Sequence, residues 1–131
     1  MRPVRVLALD QGTSATKAVV FGDDGEIVSF AEAAVTPCPV PGGGVEQDPE
    51  QLWDSVLEAG RKAIARAGGA VGAVGVANQG ETVLAWDRGS GLPHSTALSW
   101  QDRRARTQNR EHGTAGVHVA LQGAFQSGGD I

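Results

Sequence analysis

The residues best suited to chemistry lie in a short turn between two apolar runs near the amino terminus. The first run ends at Asp10, the turn brings Gly12, Thr13 and Ser14, and the second run carries Lys17. A glycine lets backbone N–H groups approach phosphate oxygens, hydroxyl and ammonium groups donate hydrogen bonds to them, and a carboxylate can hold a metal ion or its water. The turn is therefore a candidate phosphate site, although an ordinary hairpin with a polar turn would explain the same residues.

This turn does not match two better-known nucleotide loops. The pattern Gly-x-x-x-x-Gly-Lys-Ser/Thr is absent and the turn leads into a second apolar run rather than a helix, which excludes a P-loop. No Gly-x-Gly-x-x-Gly follows a predicted strand, which weighs against a dinucleotide-binding fold. Phosphate binding here would therefore come from a β-hairpin.

The elements that position this turn are predicted to begin with a meander. The predicted strands are residues 4–10, 16–21, 27–35, 71–77, 83–86 and 96–100. The first three are joined by short turns, which is typical of an antiparallel arrangement. Residues 36–44 hold three prolines and three glycines and are predicted to form an irregular loop, and residues 87–91 are predicted to form a hairpin turn.

A helix is predicted between the third and fourth strands. Asp48 can cap it, Pro49 suits its first position, Gln51 can complete a capping box, and Gly68 with Gly69 would end it. Apolar residues recur at helical spacing, which predicts a face packed in the core rather than a ligand site. They are Leu52, Trp53, Val56, Leu57, Gly60, Ala63, Ile64 and Ala67.

The composition favours one globular domain and argues against several classes of partner. The 131 residues are 40% hydrophobic, and their formal net charge of −4 offers no general attraction to nucleic acid or to an anionic membrane. No signal peptide is predicted, and no apolar run approaches the roughly 20 residues that span a bilayer. Cys38 is the only cysteine, which excludes an intrachain disulfide and favours a reducing, cytoplasmic location.

The remaining ionisable residues indicate no separate site. The three histidines lack metal-ligand spacing with cysteine or acids and are predicted to lie at the surface. They are His94, His112 and His118. A cluster of arginines is interpreted as a solvated helix face rather than an anion site. It consists of Arg103, Arg104, Arg106 and Arg110.

Four motifs in order resemble the FGGY carbohydrate kinases, the family of glycerol kinase and xylulokinase. The first is Leu-Asp-Gln-Gly-Thr-Ser at residues 9–14, with Lys17. The others are Val-Glu-Gln-Asp-Pro at 45–49 before a tryptophan-bearing helix, Asn-Gln-Gly-Glu-Thr at 78–82, and Leu-Ser-Trp-Gln-Asp-Arg-Arg at 98–104. The resemblance implies an α/β, ribonuclease H-like core of the actin, Hsp70 and sugar-kinase ATPase superfamily. In that core a three-stranded antiparallel meander is followed by a helix and further strands.

The resemblance implies ATP and Mg²⁺ as cofactors and gives the first turn its role. Asp10 would position the magnesium, through a water, and the transferred phosphoryl group. The phosphates of ATP would be contacted by Gly12, Thr13, Ser14 and Lys17.

The resemblance also implies a site for a small sugar or polyol. It would consist of Gln79, Gly80, Glu81 and Trp100, with Glu81 accepting hydrogen bonds from hydroxyls and Trp100 forming an apolar wall. Glycerol kinases carry arginine where this chain has Gly80, and the loss of guanidinium donors opens space and puts glycerol in doubt. The acceptor is therefore left open.

The extent of the resemblance sets the domain prediction. It covers residues 4 to about 106, so residues 1–106 are predicted to be an incomplete first domain and residues 107–131 an unmatched, irregular tail. In this family ATP and acceptor bind between two such domains, and the general-base aspartate and adenine pocket lie beyond the matched part. The expectation is the amino-terminal portion of an ATP-dependent carbohydrate kinase, not competent alone, that self-associates or pairs with the remainder of the kinase. The alternative is a non-catalytic remnant or interaction module that kept the fold.

Overall fold

The computed structural model describes residues 4–105, which form two sheets and one long helix. In chain order the strands are β1 (Val6–Gln11), β2 (Ala15–Phe21), β3 (Ile27–Ala34), β4 (Cys38–Val40), β5 (Gly44–Gln47), β6 (Ala73–Asn78) and β7 (Ala97–Leu98), and the helix α1 is Pro49–Arg66. Arg106, Arg110, His112, His118 and the predicted tail lie outside the described residues. Within residues 4–105 no helix is both long and apolar enough to cross a bilayer.

The main sheet has the strand order β3-β2-β1-β6. β1 pairs antiparallel with β2, and β2 with β3, which confirms the predicted meander. β6 pairs parallel with β1, with Asp10 opposite Ala77. Because both strands run in the same direction, their carboxyl ends reach the same edge of the sheet.

The core lies between one face of this sheet and α1. Strand alternation turns Leu7, Leu9, Ala18, Val20, Ala31 and Ala33 inwards, where they meet Ala59 and Ala63 of the helix and Ala67 at its C-cap. The helix contributes small side chains at this contact, which lets it lie close to the sheet. Three buried hydroxyls are also satisfied there: Thr16 Oγ1 lies 2.6 Å from Ser55 Oγ, and Ser29 Oγ donates to the Ala63 carbonyl at 2.7 Å. The interior of the described part therefore holds no orphaned polar side-chain atom.

The ends of α1 follow the predicted signals with one exception. Asp48 Oδ1 accepts from the backbone N–H of Glu50 at 3.0 Å, and Gly68 after the helix has a φ of 75°. The predicted capping box is wrong, because Gln51 Oε1 accepts instead from the backbone N–H of Thr36 at 2.7 Å. That bond ties the start of the helix to the chain that leaves β3.

The predicted core position of Trp53 is also wrong. Its side chain is 59% exposed, and the buried residues of the helix are Ser55, Ala59, Gly60 and Ala63. The rest of the predicted stripe is largely confirmed, because Gly60 and Ala63 are buried and Val56 and Ile64 pack against the core, so the contact face lies to one side of the stripe and leaves Trp53 outside it. Small residues, rather than the largest apolar ones, mark the true contact.

We expect Trp53→Ala to change the stability of this chain by no more than about 0.5 kcal/mol, as for other exposed side chains. Val20→Ala is the comparison, because Val20 is fully buried in the core, and it should cost roughly 1.5–3 kcal/mol. Urea unfolding of the two variants beside the parent chain measures both. A Trp53→Ala loss as large as that of Val20→Ala would contradict the exposed position.

The segment predicted as an irregular loop forms a small hairpin instead. β4 and β5 pair antiparallel around a single 3₁₀ turn at Pro41–Gly43, where Gly42 and Gly43 both have φ near 80°. β4 is an edge strand, and an edge strand can carry Pro39 because its missing N–H costs no ladder hydrogen bond. Prolines and glycines therefore shaped this hairpin rather than preventing it.

The chain after residue 80 is less regular than predicted. The predicted strand at 83–86 is wrong, because it contributes only isolated bridges from Val83 to Leu98 and from Trp86 to Pro93. The last strand shortens to β7, which pairs with β5. The hairpin turn at 87–91 is confirmed by the N–H of Gly91, which donates to the Asp87 carbonyl at 2.8 Å.

Arg104 contacts the small sheet, which consists of β4, β5 and β7, and this corrects its assignment to a solvated helix face. It lies in a turn, and its Nη2 contacts Asp102 Oδ2 at 2.6 Å and Glu46 Oε1 at 2.8 Å. Hydrogen bonds from the Arg104 side chain and backbone hold the pKa of Asp102 well below its usual range. The pKa of Glu46 is lowered first by the Thr96 hydroxyl and then by Arg104.

We expect the stability of the chain to fall in acid as this cluster is protonated. Because the folded pKa of Asp102 is below its unfolded value of about 3.9, the stabilisation is fully present above that pH and is lost as the pH falls below it. Asp102→Asn should therefore flatten the acid side of a plot of melting temperature against pH. An unchanged acid slope in that variant would contradict the assignment.

Candidate functional site

The candidate site lies where β1 and β6 end side by side. Asp10 is opposite Ala77 in the parallel register, and the backbone N–H of Gln79 donates to the Gln11 carbonyl at 2.8 Å. This bond continues the pairing past the strands. It brings the turn of residues 12–14, called here the first turn, beside residues 79–82, called the second loop. The carboxyl edge of parallel strands is where ligands bind in many open α/β sheets.

Three residues from separate predicted motifs meet at this edge. Thr13 Oγ1 donates to Gln79 Oε1 at 3.0 Å and accepts from Trp100 Nε1 at 2.9 Å. Trp100 is half exposed, so part of this residue remains open to solvent beside these bonds. The structure therefore joins one residue of the predicted phosphate site to two of the predicted acceptor site.

Two further residues hold this contact and were given no role from the sequence. Thr82 Oγ1 donates to Gln79 Oε1 at 3.1 Å and accepts from the backbone N–H of Trp100 at 3.2 Å. Gln47 is fully buried, and its Nε2 donates to the Thr13 carbonyl at 2.9 Å. Both lie inside motifs that carried the family resemblance, which was the available signal for them.

The charged residues that flank the first turn lie on the sheet face opposite α1. Asp10 and Lys17 are register partners across β1 and β2, and both are exposed. No ion pair within residues 4–105 involves either of them. Gly12 closes the turn through its N–H to the Ala15 carbonyl at 2.9 Å, and a Cβ at Gly12 would lie 2.9 Å from that oxygen. Ser14 is exposed at the same tip.

The second loop has an unusual backbone at its carboxylate. Glu81 has a φ of 64°, the one positive φ of a non-glycine residue in the described part of the chain. That conformation costs roughly 1–2 kcal/mol for a residue with a side chain, and such residues concentrate at functional sites. Gly80 is exposed, and a Cβ there would meet no atom within 4 Å.

The donor set at this edge limits how a metal could bind. The described residues contain no group of three or more His, Cys, Asp or Glu side chains that could hold a metal ion by themselves. Asp10 is a single exposed carboxylate beside the first turn. Such a site fits Mg²⁺ held by one carboxylate together with waters and the phosphates of a ligand.

Comparison with known sequences identifies relatives. Residues 5–121 match the model of the N-terminal domain of the FGGY family of carbohydrate kinases. The chain is 45% identical over 124 residues to a glycerol kinase of Verminephrobacter eiseniae, covering 90% of this chain and 24% of the relative. It is 43% identical over 124 residues to a glycerol kinase of Thermus brockianus, covering 90% of this chain and 25% of the relative. The chain thus spans about a quarter of the length of the curated relatives it matches.

Comparison with solved structures supports the fold. Plasmodium falciparum glycerol kinase with ADP superposes with a TM-score of 0.80 at 24% identity, over 87% of this chain and 24% of that one. Xylulose kinase from Rhodospirillum rubrum superposes with a TM-score of 0.75 at 24% identity, over 82% and 22% of the two chains. These neighbours confirm the predicted sugar-kinase, actin and Hsp70 type of core.

Proposed function

This chain belongs to the FGGY family of carbohydrate kinases, and on that basis we propose that it is the amino-terminal part of an ATP-dependent kinase for a small sugar or polyol. The whole protein would transfer the γ-phosphoryl group of ATP to a hydroxyl of that acceptor. The observation that carries the proposal is the contact between the first turn and the second loop. Thr13 is hydrogen-bonded to both Gln79 and Trp100, so the turn proposed to bind phosphate and the surface proposed to bind the polyol lie at one edge.

The first turn provides the phosphate side of the proposed site. The Ser14 hydroxyl at its tip and Lys17 on the adjoining strand β2 are exposed and would donate to phosphate oxygens. Gly12 lets the backbone approach a phosphate closely, and the hydroxyl of Thr13 adds a donor at the border with the acceptor side. These groups act by holding the triphosphate in a fixed position, which accounts for much of the catalysis of phosphoryl transfer.

Asp10 would hold the magnesium ion of Mg-ATP, through a water, at the end of β1. Its side chain is exposed and free of ion pairs within residues 4–105, so it can accept from a metal-bound water. Mg²⁺ bound there supplies positive charge against the phosphate oxygens. The contribution of Asp10 would be to hold the positive charge of the metal ion beside the first turn.

The second loop and Trp100 provide the acceptor side. Glu81 would accept hydrogen bonds from the hydroxyls of the acceptor, and this is supported by its exposure and by its positive φ in the second loop. The half-exposed indole of Trp100 would cover the carbon backbone of the acceptor. The open space at Gly80 favours an acceptor larger than glycerol.

The proposal is tested with the full-length protein that carries this chain. Purified protein is incubated with Mg-ATP and a panel of acceptors that includes glycerol, xylulose and gluconate, and ADP release is followed. We expect acceptor-dependent ADP release that is absent without acceptor. A folded protein that releases no ADP with any sugar or polyol of the panel would overturn the proposal and favour a non-catalytic role.

The chain alone is tested separately, by a thermal melt with and without Mg-ATP or each acceptor. We propose that it lacks turnover, because the general base and adenine pocket of this family lie outside the matched residues. A ligand at 100 times its dissociation constant would still stabilise a folded binder by about 2.7 kcal/mol. A melt that shifts with one polyol would indicate that this chain forms part of the acceptor pocket.

A further inference from the structure

Gln47 is a buried residue that links the first turn and the second loop of the candidate site. It ends β5, a strand of the small sheet, and its side chain is fully buried. Its Nε2 donates to the Thr13 carbonyl and its Oε1 accepts from Gln79 Nε2, each at 2.9 Å. Gln79 Oε1 in turn accepts from Thr13 Oγ1 at 3.0 Å. Thr13, Gln47 and Gln79 therefore form a closed ring of three hydrogen bonds.

This ring fixes the orientation of both carboxamides. Gln79 Oε1 receives the hydroxyls of Thr13 and Thr82, which leaves its Nε2 to face Gln47. Gln47 then has one acceptor atom toward Gln79 and one donor toward the Thr13 carbonyl, and neither can be reversed without placing like groups together. A buried and fully satisfied polar network of this kind specifies a single arrangement.

Gln47 is covered by protein on every side, so it cannot touch a ligand at the open edge. Its influence on a ligand must pass through the backbone of Thr13 and the side chain of Gln79. Resting on the function proposed above, we propose that Gln47 is a positioning residue. It sets the spacing between the first turn, which holds the phosphoryl donor, and the second loop, which holds the acceptor.

The first test is Gln47→Leu in the full-length kinase. Leucine fills a similar volume but removes both hydrogen bonds, so Gln79 and the first turn lose their fixed spacing. A misplacement of about 1 Å can cost about 100-fold in rate, and we expect kcat to fall about 10- to 100-fold with the KM values for Mg-ATP and acceptor within about threefold. The matched control is Gln51→Leu, which removes a carboxamide bonded to the Thr36 backbone outside the ring and should keep kcat.

Gln47→Glu gives a second readout and guards against a variant that fails to fold. A protonated carboxyl has the shape of the carboxamide, with one donor and one acceptor, whereas the ionised form has no donor for the Thr13 carbonyl. Burial raises the pKa of a carboxyl group, so the protonated form gains population as the pH falls from about 8 to 6. Relative to the parent enzyme, kcat of Gln47→Glu should rise over that range, and a flat ratio would count against the ring.

Disruption of the ring can be detected on the 131-residue chain by NMR. The Trp100 indole N–H donates to Thr13 Oγ1, so its signal reports the position of Thr13. Gln47→Leu should shift this signal and Gln51→Leu should not. Normal kcat of Gln47→Leu in an active kinase, or an unmoved indole signal, overturns the inference and leaves the proposed function intact. If the parent enzyme is inactive, the proposed function is wrong, and the positioning role that rests on it is wrong as well.

Discussion

Replacing Asp10 by alanine in the full-length kinase should lower kcat at least about 1,000-fold while leaving the fold intact. Asp10 is the carboxylate at the carboxyl end of β1, beside the first turn. Removing a single preorganised electrostatic group from an active site costs about 10²–10³ in rate, and here the metal's anchor would be lost as well. Because the side chain is exposed and makes no ion pair in the described part, its removal should change stability by no more than about 0.5 kcal/mol.

The measurement pairs steady-state kinetics with urea unfolding of the same preparations. Asp54→Ala is the matched control, since Asp54 is an exposed aspartate on α1. It should keep kcat within about twofold. Raising the Mg²⁺ concentration should not restore Asp10→Ala, because the positioning carboxylate is absent. If Asp10→Ala turned over at a rate close to that of the parent, the assignment of the first turn to the phosphoryl donor would be wrong.

The parts of the fold predicted from sequence are those whose signals are local. Short turns set the antiparallel meander, and Asp48 with Pro49 set the start of α1. The family resemblance supplied the class of core. These predictions depend on neighbours within a few residues or on motifs that can be matched directly.

The errors fall where distant residues decide the outcome. The hairpin of β4 and β5 depends on Leu98 and Arg104, which pair with or contact it from more than 50 positions along the chain. Trp53 was placed in the core because apolar spacing gives a stripe but not the angle at which the helix meets the sheet. The buried face of the helix also includes Ser55 and Ala59, which the predicted stripe omitted because small or polar side chains carry little signal in a hydrophobicity pattern.

The candidate site likewise contains residues that the sequence predicted and a residue that it did not. Its exposed residues were proposed from motifs, whereas the buried residue that links them was not. Thr13, Gln47 and Gln79 are separated by more than 30 positions in each case, and only the folded chain shows that their carboxamides and hydroxyl form a ring. The positive φ of Glu81 likewise has no sequence signal, because glycine rather than glutamate is expected in that conformation.

Gly80→Arg in the full-length kinase should move acceptor preference towards glycerol. We expect the ratio of kcat/KM for glycerol to that for the best acceptor of the parent to rise about 10- to 100-fold. A site that can hydrogen-bond the hydroxyls of a small acceptor gains discrimination from those bonds, and a guanidinium supplies five donors. The same side chain would fill the space that a larger sugar or polyol would occupy. The added hydrogen bonds and the lost space therefore both favour glycerol.

The structure leaves room for this substitution and supplies its control. A Cβ at Gly80 meets nothing within 4 Å and its φ lies outside the left-handed region, so arginine adds no backbone strain. Gly80→Ala adds a Cβ without donors and should leave the acceptor profile unchanged. An unaltered profile in a folded Gly80→Arg enzyme would show that residue 80 does not face the acceptor. A similar shift in both variants would instead trace the preference to loop conformation, because alanine and arginine share the added Cβ and the loss of glycine's backbone freedom but not the guanidinium.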